Sequence, residues 1–175
     1  GFARERDWQV SALREGPAVR FELHADDASR AFFPHEFRAE LDFALDGDGA
    51  DAGLRISMHV HNEDAEEFVF EQALHTYFAV GDVGSAEVRG LEGVACVEHA
   101  ALPEASWDRA APLRFRAETD RVFQDTPPRI ELLAPALQRR VRLDAEHAGS
   151  AIVWNPWIEK TKRLSQMALD DWQTF

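Results

Sequence analysis

Apolar and polar residues alternate along most of this chain with a period of two. Val19, Phe21 and Leu23 alternate with Arg20, Glu22 and His24, and Leu41, Phe43 and Leu45 with Glu40, Asp42 and Ala44. Leu54, Ile56, Met58 and Val60 alternate with Arg55, Ser57, His59 and His61. Shorter runs recur at Leu113 and Phe115, Ile130 and Leu132, Val141 and Leu143, and Ile152 to Trp154. Each reads as an antiparallel strand with one face buried and the other wetted. Turn formers separate the runs: Asp46-Gly47-Asp48-Gly49, His61-Asn62-Glu63-Asp64, Gly81-Asp82, Thr126-Pro127-Pro128 and Ala148-Gly149. Regular short strands with this punctuation predict an all-β, antiparallel β-sandwich. Helical signal is thin: one turn at Asp26-Asp27-Ala28-Ser29-Arg30 and a short surface helix over 159–167. Residues 100–111 read as a loop anchored by Trp107.

The chain has 175 residues, enough for a real core and suggestive of a single domain over 1–175. Its net charge of −13 argues against a nucleic-acid partner, whose binding surface would be basic. It leaves room for a small anion, because a local arginine grips phosphate even in an acidic protein. No apolar run approaches the roughly 20 residues of a membrane helix, so no membrane partner is expected. The one cysteine, Cys96, sits in an apolar stretch, reads as a small core residue and fits a reducing cytoplasm.

Five segments, in order, carry a resemblance: Gly1-Phe2-Ala3-Arg4 followed by Trp8; Phe33-Pro34-His35-Glu36-Phe37; Ala73-Leu74-His75-Thr76-Tyr77-Phe78; Glu118-Thr119-Asp120-Arg121; and Val153-Trp154-Asn155-Pro156-Trp157 leading into Glu159-Lys160. Together they resemble the hexose-6-phosphate mutarotase branch of the aldose 1-epimerase family across nearly the whole chain. The resemblance implies a galactose mutarotase-like supersandwich and an isomerase that interconverts the α and β anomers of a hexose 6-phosphate, glucose 6-phosphate before free aldoses. Mutarotation opens a hemiacetal and closes it on the other face. One group takes the anomeric hydroxyl proton while another protonates the ring oxygen, each worth roughly 10²–10⁴-fold. Side chains can do both, so no metal or organic cofactor is expected.

The resemblance makes His75 the general acid, which suits an imidazole that titrates near neutral pH. On a strand its ring would share a face with Ala73 and Tyr77. The alternative is an ordinary solvated strand histidine. Asp120 is implied to orient sugar hydroxyls, against a surface Asp120–Arg121 neighbour pair. Arg4 is implied to grip the phosphate, against a solvated terminal arginine, with Arg6, Arg38 and Arg121 as lesser candidates. Trp154, with Trp157, would offer an aromatic wall to the sugar, against plain core packing. His59 and His61 form a His-x-His pair, too few ligands for a metal site, and the acidic run Glu63-Asp64-Ala65-Glu66-Glu67 reads as a solvated hairpin end.

The family's general base is a Glu on a strand beyond the segment matching 166–175, and a His precedes its Gly-Phe-Ala stretch. Neither has a counterpart here. The resemblance therefore predicts the middle of a larger domain, lacking N-terminal strands and the last strand or strands. A full domain would be monomeric. An isolated stretch would expose sheet edges and tend to self-associate. Two readings compete with the enzyme: a non-catalytic carbohydrate-binding sandwich using Trp154, Trp157 and Asp120, and a purely structural domain.

Overall fold

The computed structural model describes residues 1–13, 16–49, 52–101 and 107–175. Antiparallel strands dominate, and the chain divides into two compact units, Gly1–Leu74 and His75–Phe175.

The first unit is one four-stranded meander in the order β1 (Gln9–Leu13), β2 (Ala18–His24), β3 (Phe37–Asp46), β4 (Gly53–Asn62). The alternation fixes its register. Phe21 lies opposite Leu41 and Leu41 opposite Met58, so the apolar positions of three strands share a face. Phe2, Trp8, Phe33 and Phe68 pack around buried Leu23, Phe37 and Ala39 on that face. The other face is a charge ladder. Arg20 grips both carboxylate oxygens of Asp42 at 2.7 Å and reaches Glu40 at 2.7 Å, and Arg38 also pairs with Glu40. That pairing is what allows Glu40 to be buried. Between β2 and β3 lies the one-turn helix α1 (Asp27–Arg30). Asp26 caps it by accepting from the Ser29 N–H, while the Ser29 hydroxyl answers the Asp26 N–H.

The second unit is a sandwich. One sheet runs β10 (Arg139–Asp144), β9 (Arg129–Ala134), β5 (Glu87–Arg89), β7 (Leu113–Arg114); the other runs β11 (Ser150–Asn155), β8 (Thr119–Gln124), β6 (Cys96–Glu98). Val88, Leu113, Leu132 and Ala134 from the first sheet and Phe123 from the second meet in one core, with Val153 and Cys96 packed against it. Gly90, at φ +91°, ends β5 where a Cβ would lie 3.0 Å from the Arg129 carbonyl, so only glycine lets the chain pass.

All seven runs of alternation fall on strands, Phe115 just past the end of β7. Two expectations are corrected. Helix α2 spans Trp157–Thr161, starting earlier and ending sooner than 159–167, because Asn155 and Pro156 launch it directly from β11. The segment around His75 belongs to no strand. Among the described residues nothing pairs with 67–78 to complete a ladder, and a strand needs such a partner. Within 100–111, residues 102–106 lie outside the described ones, while Trp107 anchors the loop edge-on against Phe123. Among the described residues no helix is long and apolar enough to cross a membrane.

Candidate active site

Strands β8 and β11 place Trp154 opposite Asp120 and Val153 opposite Arg121. Successive side chains point to opposite faces, so Asp120 and Arg121 part company. Arg121 turns inward, 3% exposed, donating to Glu98 at 2.6 Å and lying 4.3 Å over the Trp107 ring. Asp120 turns outward beside Trp154. The surface pair Asp120–Arg121 does not form, and Trp154 faces away from the core against which Val153 packs.

The outward side of β8 and β11 is a built corner. Trp154 stacks on Phe175 (6.0 Å, 20° between planes), and Tyr77 meets both rings edge-on, at 6.4 Å from Trp154 and 5.3 Å from Phe175. Lys160, from α2, sends Nζ to within 3.0 Å of Glu118 and 3.3 Å of Asp120, and 5.8 Å above the Trp154 ring. Burial works against the Lys160 ammonium, but its hydrogen bonds to Glu118 and Asp120 outweigh that and raise its pKa above the ordinary lysine value. Lys160 is therefore a fixed cation at neutral pH.

The corner is held from below by Asn155, 1% exposed. Its amide donates to the carbonyls of Trp172 and Phe175, each at 2.9 Å, and its carbonyl accepts from the Trp157 N–H at 2.9 Å. These bonds hold Trp157 at φ +53°, a left-handed conformation that costs a bulky residue on the order of 1–2 kcal/mol. The Thr161 hydroxyl donates to the Trp157 carbonyl at 2.5 Å and closes the turn.

Of the residues singled out in the sequence, Asp120 and Trp154 come together directly. His75 is exposed and, among the described residues, has no hydrogen-bond or ion-pair partner. Its tie to the corner is Tyr77, two residues on. Arg4 belongs to the first unit, where its guanidinium is loosely paired with Glu5 at 3.8 Å on the rim of a cavity of about 270 Å³ lined by Gly1, Phe2, Arg6 and Phe32. The lesser phosphate candidates are more committed: Arg6 donates to the Ala28 carbonyl at 3.2 Å, Arg38 to Glu63 at 3.1 Å, and Arg121 is buried on Glu98. His61 lies 3.4 Å from Glu40 on the charge ladder. Cys96 is half-buried, with the Arg109 guanidinium 3.0 Å from its sulfur.

Lys160, Glu118 and Phe175 were not expected at this corner, and Tyr77 was expected only as a residue sharing a strand face with His75. Lys160, Glu118 and Tyr77 stand in the motifs and Phe175 lies outside them, and their convergence is tertiary: Lys160 reaches Asp120 across 40 residues of chain.

The family model described as aldose 1-epimerase matches residues 1–175. The chain is 28% identical over 172 residues to a candidate glucose-6-phosphate 1-epimerase of Cenchrus ciliaris, covering 94% of this chain and 52% of that protein. It is 28% identical over 178 residues to one of Escherichia coli (strain K12), covering 100% and 57%. A crystal structure of a candidate mutarotase from Salmonella typhimurium superposes with a TM-score of 0.80 at 26% identity, covering 100% of this chain and 57% of that one. The chain thus spans about half the length of the curated relatives it matches.

Proposed function

From the premise that this chain belongs to the aldose 1-epimerase family, we propose that its protein interconverts the α and β anomers of a hexose 6-phosphate, glucose 6-phosphate foremost. The curated relatives carry that activity in their names. The structural observation that carries the reading is the pairing of Asp120 with Trp154 across β8 and β11. A pyranose needs that combination: an acceptor for ring hydroxyls beside an aromatic face for its C–H groups.

In this reading His75 donates a proton to the ring oxygen as the C1–O5 bond breaks, while a base takes the proton of the anomeric hydroxyl. Rotation about C1–C2 and reversal of the two transfers give the other anomer. We assign the base to the Glu of the family's pattern, beyond the segment matching 166–175. Asp120 orients the hydroxyls, Trp154 stacks the ring and Arg4 binds the phosphate. The exposure of His75 suits a group that must meet a substrate. The two transfers use side chains and call on no cofactor. Residues 1–175 then form part of one mutarotase domain acting in the cytoplasm.

The test is anomer exchange followed by NMR with the full-length protein. Glucose 6-phosphate should equilibrate faster than galactose at equal concentration. Equal or greater activity on the unphosphorylated sugar would move the substrate to free aldoses. Sugar binding without exchange would leave the non-catalytic sandwich.

A further inference from the structure

We infer that Lys160 is a positioning residue that fixes the Asp120 carboxylate, and that the corner it shares with Glu118 and Asp120 receives uncharged sugar hydroxyls rather than the phosphate. This rests on the mutarotase reading above and names what the same corner selects.

Lys160 is the hub of the corner. Its ammonium bridges two carboxylates, Glu118 at 3.0 Å and Asp120 at 3.3 Å. Glu118 is 4% exposed, while Asp120 and Lys160 are about a quarter exposed. Glu118 is thus the buried base of the triad and Asp120 its open edge. The Lys160 bond goes to one oxygen of Asp120, Oδ2, and among the described residues Oδ1 accepts no hydrogen bond. A carboxylate held by one oxygen presents the other in a fixed direction, which is what orienting a hydroxyl requires.

The charges decide the ligand. The one ammonium is already bonded to both carboxylates. A phosphate dianion brought here would lie against the Asp120 carboxylate and compete with two carboxylates for one ammonium. A hydroxyl meets an acceptor oxygen with a lone pair not engaged by Lys160 and loses nothing. Nor does Lys160 suit proton transfer. Its two carboxylates hold it as an ammonium, so at neutral pH it neither gives nor takes a proton readily. Orientation is the role left, and the Trp154 ring beneath Nζ places that role beside the aromatic wall.

The experiment is a cycle in the full-length protein: Lys160→Met, Asp120→Asn, both together, and Lys160→Arg, each assayed for anomer exchange. Lys160→Met should raise KM about tenfold with kcat within about threefold, since uniform binding is lost. Lys160→Arg should recover to within about threefold. Because Lys160 acts through Asp120, the double variant should be no worse than Asp120→Asn alone by more than about twofold. The losses should be equal for glucose 6-phosphate and for glucose. Multiplying losses in the double variant, or a loss confined to the phosphorylated sugar, would overturn the inference. A second measurement is independent of activity: three-bond Hα–Hβ couplings of Asp120. They should report one rotamer in the wild type and in Lys160→Arg, and averaging in Lys160→Met. A wild type that exchanges no anomers would sink the mutarotase reading while these couplings still decide the positioning role. Couplings unchanged in Lys160→Met would overturn that role.

Discussion

The corner at Asn155 and the strip at 67–78 differ in how their polar and apolar groups find partners. At the corner, one buried amide makes three hydrogen bonds, and a left-handed tryptophan is tolerated because those bonds hold it. Along the strip, no strand runs beside the backbone among the described residues, Val69 is 90% exposed, and Leu74 and Tyr77 are more than half exposed. At its start Phe68 packs against the Phe33 and His35 rings, each 5.1 Å away, and just past its last residue Val80 and Gly81 donate to the Thr174 carbonyl at 2.7 and 3.2 Å. The corner spends its interactions on geometry. The strip leaves Val69, Leu74 and His75 open to solvent and to any ligand. An orienting carboxylate needs the first kind of setting. A proton donor that must reach a substrate can live in the second, and elements of low local stability commonly carry such contacts.

The largest effect on stability should come from breaking the corner. Asn155→Ala strips partners from two carbonyls and an N–H and releases Trp157, and should cost about 2–4 kcal/mol. A lower urea midpoint at unchanged slope would show it. Val69→Ala, in the strip, should change stability by less than about 0.5 kcal/mol. Similar costs at the two sites would erase the contrast.

A smaller effect should appear at Tyr77, the aromatic link between strip and corner. Tyr77→Ala removes two edge-on contacts, worth about 1 kcal/mol. Hydrogen exchange should quicken at Phe78 to Gly81 in the variant and stay unchanged in α2. In the wild type the 67–78 amides should exchange far faster than those of Val80 and Gly81. Equal protection across both would show that the strip is held in a way the contrast denies.

The smallest effect is a pH dependence at Lys160. Its pKa is raised in the folded protein, burial opposing and the bonds to Glu118 and Asp120 prevailing. A raised pKa means its stabilisation is complete below the unfolded value, about 10.4, and is lost as pH climbs through the folded one. Urea titrations above about pH 10.5 should show the wild type losing more stability than Lys160→Met. Parallel curves would show that the ammonium contributes nothing to folding.

Much of this architecture was legible in the alternation of apolar and polar residues. Strands β2, β3, β4, β9, β10 and β11 are half-buried, and a half-buried strand writes its period into the chain. Strand β8 did not, for a physical reason. Its inward positions are Thr119, Arg121 and Phe123, two polar out of three. Arg121 can be buried only because Glu98 and the Trp107 ring receive it, and nothing local announces those partners. Strands β5 and β6 are three residues each, too short to show a period. The site divides the same way. Asp120 and Trp154 were legible through their motifs. Lys160 was not, because its place depends on α2 starting at Trp157 and folding back over β8. A strand at His75 was expected and is absent, since a strand needs a paired neighbour and among the described residues that segment has none.

In the proposed mechanism His75 supplies a proton from an exposed strip to a sugar oriented by the corner. The most direct measurement compares NMR anomer exchange of glucose 6-phosphate by the full-length wild type and by His75→Asn, with urea stability recorded for both. Exchange should fall roughly 10²–10⁴-fold in His75→Asn, with stability unchanged to within about 0.5 kcal/mol. Exchange by His75→Asn at the wild-type rate would contradict it.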